Sequence, residues 1–174
     1  MRNPVPARVP QGSMTIARRI AISGHRGLPQ QTAALVDQAI RDVLSADAPD
    51  FTGISCLADG ADQIFARAVI DLGGTLEVIV PASEYRAALP AGSRSEYDQF
   101  VAKAARVHRL AFTESTPESY MAASELMVDM ADELHAVWDG EPARAYGGTA
   151  DVVSYARQRA VPVRVIWPAD ATRG

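Results

Sequence analysis

From Arg18 onward, short apolar runs rich in β-branched residues alternate with segments whose apolar positions recur at helical spacing. Arg19-Ile20-Ala21-Ile22-Ser23 predicts a first strand ending at Gly24. Between Gln30 and Leu44, the set Val36, Ala39, Ile40, Val43 and Leu44 marks one helix face. Gly53-Ile54-Ser55-Cys56-Leu57 predicts the second strand. Asp59 and Gly60 then open a helix with Ala61, Ile64, Phe65, Ala68 and Leu72 inward, closed by Gly73-Gly74. Leu76 to Val80 predicts a third strand stopped by Pro81, and a polar stretch with Pro90 and Gly92 leads to a helix showing Tyr97, Phe100, Val101 and Ala104. Val107 to Phe112 is the fourth strand. Thr116-Pro117 caps the next helix, with Tyr120, Ala123, Met127, Met130 and Ala131 on its apolar face. Leu134 to Trp138 is strand five. Thr149 begins a helix with Val152, Val153, Ala156 and Ala160 inward, and Val163 to Trp167 closes the series.

Six strands alternating with five helices imply βαβ units. The expected fold is α/β: a three-layer Rossmann-like arrangement with a mostly parallel sheet of about six strands and helices on both faces. Residues 1–15 carry Pro4, Pro6 and Pro10 but no signal-like apolar stretch, and read as a disordered leader. Whether Met1 or Met14 is the start stays open. Residues 16–170 read as one ligand-binding domain and 171–174 as a tail, which suits a chain of 174 residues.

The net charge of -4 provides no broad cationic surface and disfavours nucleic acid as a partner, while leaving room for a local basic site. One cysteine, Cys56, forbids an internal disulfide and points to a reducing cytoplasm. No apolar run approaches the roughly 20 residues a span requires, so no membrane association is expected.

In an open parallel sheet, ligands bind at the carboxyl ends of the strands. The chemistry-bearing residues gather there. Ser23-Gly24-His25-Arg26-Gly27 follows strand one: Gly24 permits a tight turn, Arg26 offers a donor fork matched to phosphate, and His25 can donate or stack. A glycine turn with a solvated arginine explains those residues equally well. After strand two come Asp59, Gly60, Ala61 and Asp62. Asp59 suits an N-cap, Gly60 bares helical amides that attract anions, and Asp62 serves either ribose hydroxyls or the helix dipole. After strand five come Asp139-Gly140 and then Gly147-Gly148-Thr149, whose paired glycines and threonine at a helix start make a strong phosphate-cradle candidate. A flexible turn with a threonine cap is the plainer alternative.

Other chemistry lacks support. His25, His108 and His135 have no metal-ligand spacing, and His108 and His135 read as packed, satisfied strand side chains. Cys56 reads as a buried mid-strand thiol. No P-loop, dinucleotide fingerprint or Gly-x-Ser-x-Gly elbow is present. Tyr85, Arg86, Arg94 and Tyr97 lie in or beside the longest irregular stretch, either as a lid or, by default, as a solvated loop.

Gly24-His25-Arg26, Gly60-Ala61-Asp62 with Ala66 beyond it, and Gly147-Gly148-Thr149 resemble the SLOG superfamily across nearly all of Arg18 to Pro168. That group includes the cytokinin-activating phosphoribohydrolases, the DNA-processing protein A proteins and many uncharacterised bacterial nucleotide-binding domains. The resemblance implies a nucleotide or nucleotide-derived ligand across the strand ends, no required cofactor, a sensing or binding role, and room for homo-oligomers. The phosphoribohydrolases carry a catalytic glutamate three residues past the threonine of their glycine motif. Val152 stands there, Asp151 is one position early, and that family's arginine motif before strand five is missing. The expectation is therefore binding first, with two alternatives: a nucleotide hydrolase using Asp59, Asp62 or Asp151, and a DNA-handling module.

Overall fold

The computed structural model describes residues 16–174. The expected leader, residues 1–15, lies outside the described residues. Six strands follow in chain order: β1 Arg18–Gly24, β2 Phe51–Ser55, β3 Thr75–Ala82, β4 Arg106–Phe112, β5 Glu133–Val137 and β6 Val163–Ile166. Between them run α1 Gln30–Leu44, α2 Ala61–Asp71, α3 Tyr85–Ala88, α4 Arg94–Lys103, α5 Pro117–Asp129 and α6 Thr149–Gln158, with a 3-10 turn at Ala91–Ser93. All six strands are parallel, in the order β4-β3-β2-β1-β5-β6. This is the three-layer α/β arrangement that the alternation of patterns predicts.

Strand alternation explains the two cores. Ile20 and Ile22 on β1 point to one face and pack with Val36, Ile40 and Leu44 of α1 and Phe65 and Val69 of α2. Ala21, between them, points to the other face and packs with Met127 and Val128 of α5 and Val152, Val153 and Ala156 of α6. Chain order reverses between β1 and β5, so the crevice beyond those two strands is the switch point where such sheets take ligands.

The structure departs from the sequence pattern in identifiable places. β2 ends at Ser55, two residues early, because Leu57 takes a left-handed φ of 58°. The Ser55 hydroxyl secures that exit by accepting from the Leu57 amide (3.0 Å) and donating to the Asp62 carbonyl (3.1 Å). Cys56 therefore lies past the strand rather than within it. Pro81 does not stop β3. It sits where the β3–β4 register shifts between Val80 and Ala82, and a residue without an N–H fits such an irregularity.

The stretch read as a solvated loop is packed. Tyr85 and Tyr97 are buried, Arg86 pairs with Asp98, and Arg94 donates to the Leu89 and Ala87 carbonyls. Thr116 caps α5 as expected, in a reciprocal box with Ser119. Ala160 does not face the core: α6 ends at Gln158 and Ala160 is exposed, with φ 56°. His135 is buried but not satisfied, since its Nδ1 has no partner. His108 is half-buried and meets Glu77 through Nε2 at 3.1 Å.

Candidate functional site

The exits of β1, β2 and β5 must lie close together before they can share a ligand. Two glycines allow this. At Gly24, a Cβ would stand 2.4 Å from the Ala61 Cβ and 2.8 Å from the Val137 Cβ, so only glycine lets α2 and β5 close on β1. At Gly60, φ is 90° and a Cβ would meet the His25 carbonyl at 2.6 Å.

His25 ties the turns together. Its amide donates to the Val137 carbonyl (3.1 Å) and its carbonyl accepts from the Ala61 amide (3.2 Å). Its Nε2 accepts the Asp139 amide at 3.1 Å, and Trp167 packs edge-on against the ring. Burial, helped by the nearby Arg173, lowers its pKa, so the neutral ring is the form that accepts this bond at neutral pH. His25 acts mainly as a latch between strand ends.

Beyond the latch is a cavity of about 360 Å³. Gly24, His25, Arg26, Asp62, Gly147, Gly148 and Thr149 line it, which brings the three expected turns to one place. Asp59, Gly60, Ala61, Asp139 and Gly140 do not line it, and sit behind or beside the wall. Asp59 is not the N-cap of α2. Gly60 occupies that position, and the Asp59 carboxylate receives Arg26 Nε (2.8 Å) and the Gly27 amide (3.1 Å). Its charge is spent on aiming the arginine. Asp139 meets His25 and accepts the Glu141 amide at 3.0 Å, while Gly140 is a turn residue with φ 85°.

Thr149 is the first residue of α6 but does not cap it, because Gly148 takes the N-cap position. Asp151 accepts the Gly147 amide at 2.9 Å, which bends the paired glycines back onto the helix start. The remaining first-turn amides and the helix dipole make this wall favourable to negative charge.

Asp62 differs from the other two aspartates. It is nearly buried, faces the cavity and accepts the Ala58 amide at 3.3 Å. Burial raises its pKa to about 7, against the opposing pull of that amide and of Arg26. Its neighbours Cys56 and Tyr85 are also pushed up by burial, so both stay protonated and inert near neutral pH.

Sequence reasoning missed several wall residues. Pro117, Tyr120, Ser124 and Met127 fall at helical spacing on α5; Tyr120 and Met127 are expected in the core and Pro117 in the first turn, yet all four also face the cavity. Arg144, Tyr146 and Arg173 lie in irregular segments where no periodicity marks them. Among the described residues, no group of three or more His, Cys, Asp or Glu side chains could hold a metal, and no helix is long and apolar enough to cross a membrane.

No protein-family model matches the chain, and no curated protein matches it. Solved structures do. DNA processing protein A from Streptococcus pneumoniae is 14% identical over 88% of this chain and 52% of that one, with a TM-score of 0.65. The Helicobacter pylori protein of the same name, described for its single-stranded DNA binding mode, is 14% identical over 90% of this chain and 69% of that one, with a TM-score of 0.66. The molybdenum cofactor binding protein from Rippkaea orientalis is 12% identical, covers 90% and 79%, and has a TM-score of 0.59. The chain shares the Rossmann-like fold of these proteins. The likeness is one of architecture, and the chain spans about half the length of the Streptococcus pneumoniae protein.

Within this fold, Gly24-His25-Arg26 and Gly147-Gly148-Thr149 line one cavity at the switch point. Val152, where the phosphoribohydrolases carry glutamate, is buried against α5. Asp151 is committed to the Gly147 amide and Asp59 to Arg26. Asp62 is the expected aspartate that faces the cavity, and burial raises its pKa to about 7.

Proposed function

We propose that the chain binds a nucleotide or nucleotide-derived anion in the cavity at the carboxyl ends of β1, β2 and β5, as a binding or sensing domain that needs no cofactor. The observation carrying this reading is the convergence of cationic and helix-start groups on one cavity: Arg26, Arg144 and Arg173 with the first turn of α6. Tyr146 supports a nucleotide over a simple anion. It is 58% exposed at the cavity wall, where an aromatic face is available to a base. The cavity volume, about 360 Å³, suits a ligand of this size. The single free cysteine supports a cytoplasmic setting.

Thermal unfolding with a panel of mononucleotides, dinucleotides and ADP-ribose tests the reading. A concentration-dependent rise in Tm for at least one nucleotide supports it, and no rise across the panel contradicts it.

Asp62 favours a second reading, in which the same cavity cleaves an N-glycosidic or phosphoester bond with Asp62 moving a proton. Chromatography of the ligand after long incubation distinguishes the two, since only turnover releases base or sugar phosphate. The Helicobacter pylori neighbour binds single-stranded DNA, so net charge alone is no ground for dismissing DNA here. A salt-dependent mobility shift with single-stranded DNA tests that reading.

A further inference from the structure

We propose that the segment after β6 supplies a second anion subsite, in which Arg173 and Arg144 hold a further phosphoryl group, so that the cavity selects a diphosphate over a monophosphate. This rests on the nucleotide reading above and adds the class of nucleotide.

The segment is ordered by specific contacts. Trp167 stands edge-on to His25 with ring centroids 5.5 Å apart. A turn brings the Ala171 amide to the Pro168 carbonyl (3.0 Å), and the Thr172 amide donates to the Thr32 hydroxyl (2.9 Å). Arg144 reaches across from the segment before α6 and donates to the Gly174 carbonyl at 3.1 Å. Together these contacts deliver Arg173 to the cavity wall, with its side chain 18% exposed.

There the charges are unequal. The carboxylate paired with Arg173 is Asp139, at 3.6 Å, outside hydrogen-bonding distance. Asp139 is already shared, since its Oδ1 accepts the Glu141 amide and lies 3.1 Å from His25 Nε2. Arg173 thus has only a distant, divided carboxylate, while Arg144 stands exposed at the cavity wall and donates to the Gly174 carbonyl. The positive field of both reaches His25 and contributes to its lowered pKa. A guanidinium withdrawn from water without a close partner is unfavourable until an anion enters. Arg26 differs, because Asp59 already occupies part of its donor fork.

Two anion-attracting groups therefore share one cavity: the first turn of α6 and the Arg144–Arg173 pair. One phosphate engages only one of them. A diphosphate engages both.

Titration calorimetry with AMP, ADP, inorganic phosphate and inorganic pyrophosphate decides the matter, using the full chain and the Arg173→Ala and Arg173→Lys variants. The expected result is that ADP binds at least about tenfold tighter than AMP, and pyrophosphate likewise over phosphate. Arg173→Ala should bring those ratios close to one, and Arg173→Lys should restore part of them. The ligand-free Tm of neither variant should fall below the parent's, because Arg173 has no close partner to lose among the described residues. Equal affinity for mono- and diphosphates in the parent overturns the proposal, as does a preference that survives Arg173→Ala. If none of the four probes binds, the diphosphate subsite is overturned, and the thermal panel decides separately whether the nucleotide reading stands.

Discussion

Glu77 and Glu133 at the amino ends of the strands and Asp62 at the carboxyl ends are buried to similar degrees, yet their surroundings are opposite. Glu77 receives both arms of Arg19, at 3.1 and 2.9 Å, and the His108 ring at 3.1 Å. The Arg19 bonds outweigh burial and hold its carboxyl below the usual glutamate range. Glu133 pairs with Arg18 and Arg164 and lies 3.5 Å from His135. Asp62 has one long amide bond and no direct cation partner, and burial lifts its pKa to about 7. One end of the sheet satisfies its charges internally. The other pairs Asp59 with Arg26 but leaves Asp62 without a close cation among the described residues, at some expense in stability.

The largest expected effect would come from breaking the satisfied end. Glu77→Ala strips Arg19 and His108 of their shared partner and should cost roughly 3 kcal/mol in urea unfolding. The lowered pKa of Glu77 also means that the parent loses this stability as pH falls from the unfolded glutamate value through the folded one. A loss below about 0.5 kcal/mol would make the cluster decorative.

Asp62→Asn should move stability in the other direction. The raised pKa makes the parent most stable below the unfolded aspartate value and progressively less stable as pH rises through about 7. The variant should therefore be more stable than the parent at pH 8 and match it near pH 3.5 in urea unfolding. A variant that is less stable at pH 8 would erase the contrast between the two ends.

Smaller effects concern ligand affinity. Arg26→Ala removes a cavity cation, and Gly148→Val places a Cβ 2.9 Å from the Ala143 Cβ at the start of α6. Each should weaken nucleotide binding about tenfold while the protein stays folded, as calorimetry and circular dichroism would report. Tyr146→Ala should cost about 1 kcal/mol of affinity and leave Tm unchanged. If it lowers Tm instead, Tyr146 belongs to the fold.

The architecture was legible because apolar periodicity reports burial, and burial is what the layered fold arranges. The errors arose where a single backbone angle or a side-chain partner decides. The left-handed turn at Leu57 ends β2 two residues early, and nothing in the apolar run announces it. Asp59 looks like a cap in sequence, but Arg26, 33 residues away, claims its carboxylate. At the site, glycines mark turns and were found, whereas Arg144 and Arg173 reach the cavity from segments without a pattern. Asp62 was found, but its unusual protonation depends on burial that only the folded chain reveals.

The proposed function requires three turns to make one anion site. Backbone amide shifts recorded by NMR during titration with AMP and ADP test it most directly. The amides of Gly24 to Gly27, Ala58 to Asp62 and Gly147 to Ala150 should move together along a single binding curve. Shifts confined to one turn, or none at saturating ligand, would contradict it.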